Sequence, residues 1–114
     1  MLLRFKPETK VEQLDTMLLR GILGLCFVFK ETTGRNELTI TSVNEGKHKP
    51  DSLHYKGKAV DLRCNDMPDE QVAAIVARFK YIYDAEYDLV WEGKDSPNEH
   101  LHLEHDPGNK NHEG

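Results

Sequence analysis

The sequence predicts an α+β domain, with helices packed on one face of a small antiparallel sheet and the opposite face left exposed. Three observations predict it. Two segments, 10–23 and the stretch after Pro68, repeat apolar residues at helical spacing, and four shorter segments alternate as half-buried strands do. In the last of these, His100-Leu101-His102-Leu103-Glu104-His105, leucines interleave with polar residues, so one face must meet a core and the other must not. At 114 residues, with 38% hydrophobic and 31% charged, the chain is long enough for one core and not two. It is read as a single domain over 1–114, with 106–114 a mobile tail.

In chain order, an extended start leads to Pro7 and Thr9, which signal helix entry. Val11, Leu14, Met17 or Leu18, and Ile22 carry the apolar stripe of a first helix over 10–23, closed by Gly21 or Gly24. Cys26 to Glu31 reads equally as a buried strand or as the end of that helical region. Turn residues at 32–36 precede an alternating strand over 37–43, and a polar loop over 44–51 delivers the chain to His54. A strand over 58–63 sets Ala59, Asp61 and Arg63 on one face and Lys58, Val60 and Leu62 on the other. Pro68, Asp69 and Glu70 then open a second helix, whose acidic first turn suits the helix dipole. Val72, Ile75, Val76, Phe79 and Ile82 or Tyr83 form its core face. Strands over 86–91 and 100–105, joined by the polar loop 92–98, predict an antiparallel hairpin. Trp91 and Cys64 read as packing residues.

Composition narrows the partners. The net charge is −5 and no Lys/Arg cluster is dense enough to track phosphates, which argues against nucleic acid. Cys26 and Cys64 sit in apolar or strand-like runs and are read as reduced thiols rather than a disulfide framework. The N-terminus lacks the pattern of a secretory signal, and the apolar run over 17–29 contains Arg20 and two glycines, too short and interrupted to span a bilayer. The expectation is a protein made in the cytoplasm, monomeric and without a membrane partner.

The chemistry concentrates in two stretches. One is Ser52-Leu53-His54-Tyr55-Lys56-Gly57-Lys58-Ala59-Val60-Asp61, and the other runs from Glu99 to His105. Catalytic zinc takes three protein ligands from His, Asp and Glu and keeps one position open. His54 and Asp61 supply two if Gly57 turns the chain back, and His102, central in its strand, is the natural third. Hydrolysis also needs a carboxylate off the metal to accept a proton from the attacking water. Glu99 is the first choice, if the chain still bends at Pro97 and Asn98, and Glu92 is the fallback. His100 reads as a neighbour that hydrogen-bonds the developing oxyanion or a substrate group. His48 and His112, in loop and tail, read as solvated.

The motif Ser52-x-His54-x-x-Gly57-x-Ala59-x-Asp61 resembles the signature of the M15 zinc peptidases. These are the D-Ala-D-Ala carboxypeptidases and dipeptidases and the phage L-alanyl-D-glutamate endopeptidases, with a fold shared by the hedgehog signalling domain. Leu38-Thr39-Ile40-Thr41-Ser42 resembles the strand leading into the motif, and Glu99-x-x-His102 the motif that ends it. The likeness covers roughly residues 37–105.

The resemblance implies a hedgehog/DD-peptidase-like fold, a Zn2+ cofactor on His54, Asp61 and His102, Glu99 as general base, and Ser52 as a substrate-positioning residue. It implies hydrolysis of a peptide bond in the peptidoglycan stem peptide, in the manner of a phage-type endolysin acting on the cell wall. The alternatives are a cytosolic D-Ala-D-Ala dipeptidase, or a zinc-stabilised binding module without turnover. Where such peptidases carry a substrate-binding arginine, this chain offers Lys47 or Lys49, point charges without the arginine fork, and Leu101 stands where a tryptophan is common.

Overall fold

A computed structural model describes residues 1–43, 58–83 and 85–106. Along these the chain forms β1 (Leu2–Phe5), α1 (Thr16–Thr33), β2 (Glu37–Ser42), β3 (Ala59–Arg63), α2 (Asp69–Tyr83), β4 (Tyr87–Glu92) and β5 (His100–His105), with a 3-10 turn at Val11–Gln13 before α1. The strands make a five-stranded sheet in the order β1-β2-β3-β5-β4, and both helices pack on one face of it. The expected α+β class and the β4–β5 hairpin are found. Among the described residues no helix is long and apolar enough to cross a membrane. The expected loop over 44–51, the Gly57 turn, and all but the first residue of the expected tail lie outside the described residues.

Two expectations need correction. The sheet is mixed rather than antiparallel: β1 pairs parallel with β2, Leu2 opposite Glu37 and Phe5 opposite Ile40. Helix α1 lies between them in sequence, and such a helical crossover lets the chain re-enter a sheet in the same direction.

Helix α1 also neither begins at residue 10 nor stops at its glycines. It starts where the Asp15 carboxylate accepts hydrogen bonds from the amides of Met17 and Leu18, at 3.1 and 3.2 Å. It continues through Cys26–Glu31 and ends at Gly34, whose φ of 76° gives the left-handed cap that glycine adopts without strain. Gly21 and Gly24 sit inside the helix because two tyrosines press against it. A Cβ on Gly21 would overlap the Tyr87 ring, and one on Gly24 would lie 2.7 Å from Tyr83. Packing of this kind outweighs the ~1 kcal/mol that a helical glycine costs. Tyr87 cannot retreat, since its hydroxyl donates to the Met17 carbonyl and its ring meets Phe79, Tyr83 and His105. Gly21→Leu is therefore expected to destabilise the fold by about 2 kcal/mol or more, measurable as a lower urea midpoint at unchanged slope.

Leu18, Ile22, Leu25 and Phe29 of α1 and Val72, Ile75 and Phe79 of α2 are buried against Leu38, Ile40, Val60, Leu62, Leu89, Leu101 and Leu103 of the sheet. At the end of α2 it is Tyr83 that turns inward, while Ile82 stays 40% exposed. Both cysteines are free and buried. Burial, reinforced by the charges of Glu99, Asp66 and Asp69, pushes the Cys64 thiol up to about 12, so it behaves as a small apolar core residue. What this core does for function is simple. It fixes which side of β3 and β5 faces away from it.

Candidate metal centre

Strand β5 lies between β3 and β4. Its register sets Asp61 opposite His102, Arg63 opposite His100 and Ala59 opposite Glu104 on one side, and Glu92 opposite His100 and Asp88 opposite Glu104 on the other. Because Leu101 and Leu103 are fully buried beneath, period-two alternation sends His100, His102 and Glu104 to the opposite surface together. His105, of the leucines' parity, is buried and lies 5.1 Å from the Tyr87 ring centroid. Strands separated in the chain thus bring Asp61 and His102 side by side, as the sequence predicts.

The contacts are close. His102 Nδ1 is 3.0 Å from Asp61 Oδ1, and His102 Nε2 is 2.8 Å from Glu104 Oε1. His100 Nε2 lies 2.8 Å from Glu92 Oε1 and 3.6 Å from Asp61 Oδ1. His100 Nδ1 faces the Asn98 carbonyl at 2.7 Å. A carbonyl only accepts, so Nδ1 carries a hydrogen, and Nε2, turned toward the carboxylates, donates to Glu92 only when it carries one as well. For His102, burial is the largest single influence and opposes a positive charge. The hydrogen bonds to Asp61 and Glu104, with the charges of both carboxylates, together outweigh it and raise the imidazole to about 10.

Two donor sets meet at Asp61. One is Asp61 with His102, for which the sequence expects His54 as the third ligand, and His54 lies outside the described residues. In the other, ligand atoms of Asp61, Glu92 and His100 all fall within 4.8 Å of one another.

This donor chemistry fits zinc. Two ligands of one tetrahedral ion with bonds of ~2.0–2.1 Å stand about 3.3 Å apart; Asp61 and His102 of the first set are 3.0 Å apart, and Asp61 and His100 of the second 3.6 Å. Glu104 on the far nitrogen of His102 is the kind of outer partner that orients metal-bound imidazoles.

The other predicted residues divide in two. Ser52, Lys47 and Lys49 lie outside the described residues. Glu99 is at hand, but its Oε2 accepts from the Trp91 indole N–H at 2.7 Å, and Trp91 packs against the core. The loop that carries Glu99 bends as Pro97 and Asn98 suggest, with Gly93 and Asp95 at φ 66° and 68°, and the Ser96 carbonyl accepts from the Glu99 amide. The carboxylate that reaches both Asp61 and His100 is Glu92. Sequence reasoning assigned no role to Arg63, although alternation already set it on the face of Asp61.

A family model of the Hedgehog amino-terminal signalling domain matches residues 25–103, from the middle of α1 to β5. The chain belongs to this family. No curated protein and no solved structure gives a significant match. The Hedgehog signalling domain shares its fold with the zinc DD-peptidases, and two helices on a five-stranded open sheet agree with that fold. In this Hedgehog-family domain the matched span contains Asp61, Glu92, Glu99, His100 and His102, whereas β1 lies before it.

Proposed function

We propose that this domain is a zinc-dependent peptidase that hydrolyses a bond of the peptidoglycan stem peptide, as a phage-type endolysin does. The observation that carries the reading is the register pair Asp61–His102 on the exposed face, with Glu92 and His100 beside it, joined to the signature around His54. Asp61 and His102, with His54, would hold the ion, which when bound supplies Lewis acidity and a more acidic water. Glu92 accepts the proton of the attacking water and returns it to the leaving amine. His100, its Nδ1–H held by the Asn98 carbonyl, hydrogen-bonds the oxyanion through Nε2–H when both ring nitrogens carry hydrogen. Glu99 holds the β4–β5 end of the cleft through Trp91. On this reading the chain works as a monomer on a wall peptide, with neither nucleic acid nor membrane as partner.

Purified protein is expected to bind one zinc per chain and to release new peptide termini from peptidoglycan, stopping with chelator and resuming when zinc is restored. Mass spectrometry of the fragments identifies the bond. The family match favours a second reading, a zinc-stabilised binding module, because the matching model is of a signalling domain. Stoichiometric zinc without release of termini from peptidoglycan or from a D-Ala-D-Ala peptide would decide for it.

A further inference from the structure

We propose that the outer face of the helix pair α1–α2, on the side away from the sheet, binds a second copy of this chain about a twofold axis.

The sequence of α1 sets the face. Arg20, Leu23, Phe27 and Glu31 recur at i, i+3, i+7 and i+11, which is one stripe of a helix. The stripe is turned from the core, with Leu23 56% exposed and Phe27 55%. On α2 the matching stripe is Arg78, Tyr81 and Ile82, with Tyr81 82% exposed and the Arg78 guanidinium over its ring. The two helices run antiparallel, because Arg20 reaches Glu86, just beyond the end of α2, while Glu31 reaches Arg78. Leu23, Phe27, Tyr81 and Ile82 thus lie between two ion pairs that cross from one helix to the other. Single exposed apolar residues are ordinary, but an apolar patch with a charged rim marks an interaction site.

The order of the charges selects the occupant. From one end of the pair to the other, α1 goes from Arg20 to Glu31 and α2 from Glu86 to Arg78, so the four corners alternate in sign. A twofold axis along the helices sets α1 on α2 of the second copy, with Arg20 against its Glu86 and Glu31 against its Arg78. A twofold axis across the helices sets α1 on α1 and α2 on α2, with Arg20 against Glu31 and Glu86 against Arg78. Every charge then meets its opposite, and the apolar centre meets itself, as a self-complementary contact requires. A lipid surface or a peptide of one sign would repel two of the four corners.

The face is small. Helix α1 has 18 residues, about 27 Å at 1.5 Å per residue, and two helices each ~10 Å wide give roughly 500 Å2 in projection. A standard interface buries ~800 Å2 on each partner, so pairing is weak and reversible, with a dissociation constant of about 10 µM to 1 mM. Asp61 and His102 lie across the sheet from this face. Each copy therefore keeps its own centre and acts on its peptide as a single unit. The pair carries two centres turned outward, which a polymer with repeated peptides can engage together.

Sedimentation velocity on the full chain, from about 10 µM to about 1 mM, tests this. The wild type is expected to shift from monomer toward dimer across that range. Phe27→Glu, which sets a charge at the centre, and Arg20→Glu, which makes like-charge contacts about either axis, are each expected to weaken pairing about tenfold or more. Both side chains are exposed, and an unchanged urea midpoint excludes misfolding as the cause; Leu23→Gln replaces Phe27→Glu if that midpoint falls. A wild type that stays monomeric throughout overturns the inference. Pairing that survives in Phe27→Glu or Arg20→Glu also overturns it, since the contact then lies elsewhere. A monomer that cosediments with phosphatidylglycerol vesicles through Phe27 assigns the face to lipid and overturns it as well.

Discussion

Asp61→Asn is expected to weaken zinc binding by more than about 100-fold and to reduce peptide hydrolysis to background. Loss of an outer-sphere partner alone typically costs ~10–100-fold in affinity, and Asp61 is the one carboxylate that both donor sets share. The variant keeps the size of the side chain and its place in the β3–β5 ladder, so the fold should survive. A second readout needs no metal. In the metal-free protein Asp61 and Glu104 together hold the His102 proton up to about 10, and removing the Asp61 charge should lower that titration. A group whose folded pKa exceeds its unfolded value of 6.5 contributes fully below pH 6.5, and the contribution is lost as pH rises through about 10. Metal-free wild type should therefore lose stability relative to Asp61→Asn across that interval. Wild-type zinc affinity in the variant, with an unchanged His102 titration, would remove Asp61 from the centre.

Much of this face was readable from the chain because it is governed by a period of two. Once Leu101 and Leu103 are assigned to the core, His100, His102 and Glu104 have no other side to occupy, and Asp61 follows from Val60 and Leu62 in the same way. The extent of α1 was not readable. Gly21 and Gly24 look like stop signals until Tyr83 and Tyr87, distant in sequence, are seen to need the space. The parallel pairing of β1 was hidden for a related reason, since a short exposed-intermediate strand carries little pattern of its own and is defined by its neighbour β2. The choice between Glu92 and Glu99 fell between these cases. Hairpin register sets Glu92 directly opposite His100, yet register depends on how seven loop residues fold. The Trp91 indole that engages Glu99 is a tertiary contact that no local spacing announces.

That choice is open to a sharp measurement. Glu92→Gln is expected to lower kcat by about 10²–10⁴, the usual worth of a positioned general base, with little change in zinc content or in KM. Glutamine preserves the hydrogen-bonding reach to His100 but cannot accept a proton near neutral pH. Glu99→Gln is expected to leave kcat within about threefold, because the side-chain amide oxygen still accepts from the Trp91 N–H and the loop end stays in place. Glu99→Ala should behave differently. It strands the part-buried indole N–H, at a cost of roughly 1–3 kcal/mol, and loosens the 93–99 loop, so any fall in activity would come with a fall in stability. The three variants separate charge from position. Loss in Glu99→Gln with Glu92→Gln near wild type would return the base to Glu99 and give Glu92 the task of orienting His100. Loss in Glu92→Gln alone fixes the proton path along the β4–β5 hairpin, where the register already brings its two partners together.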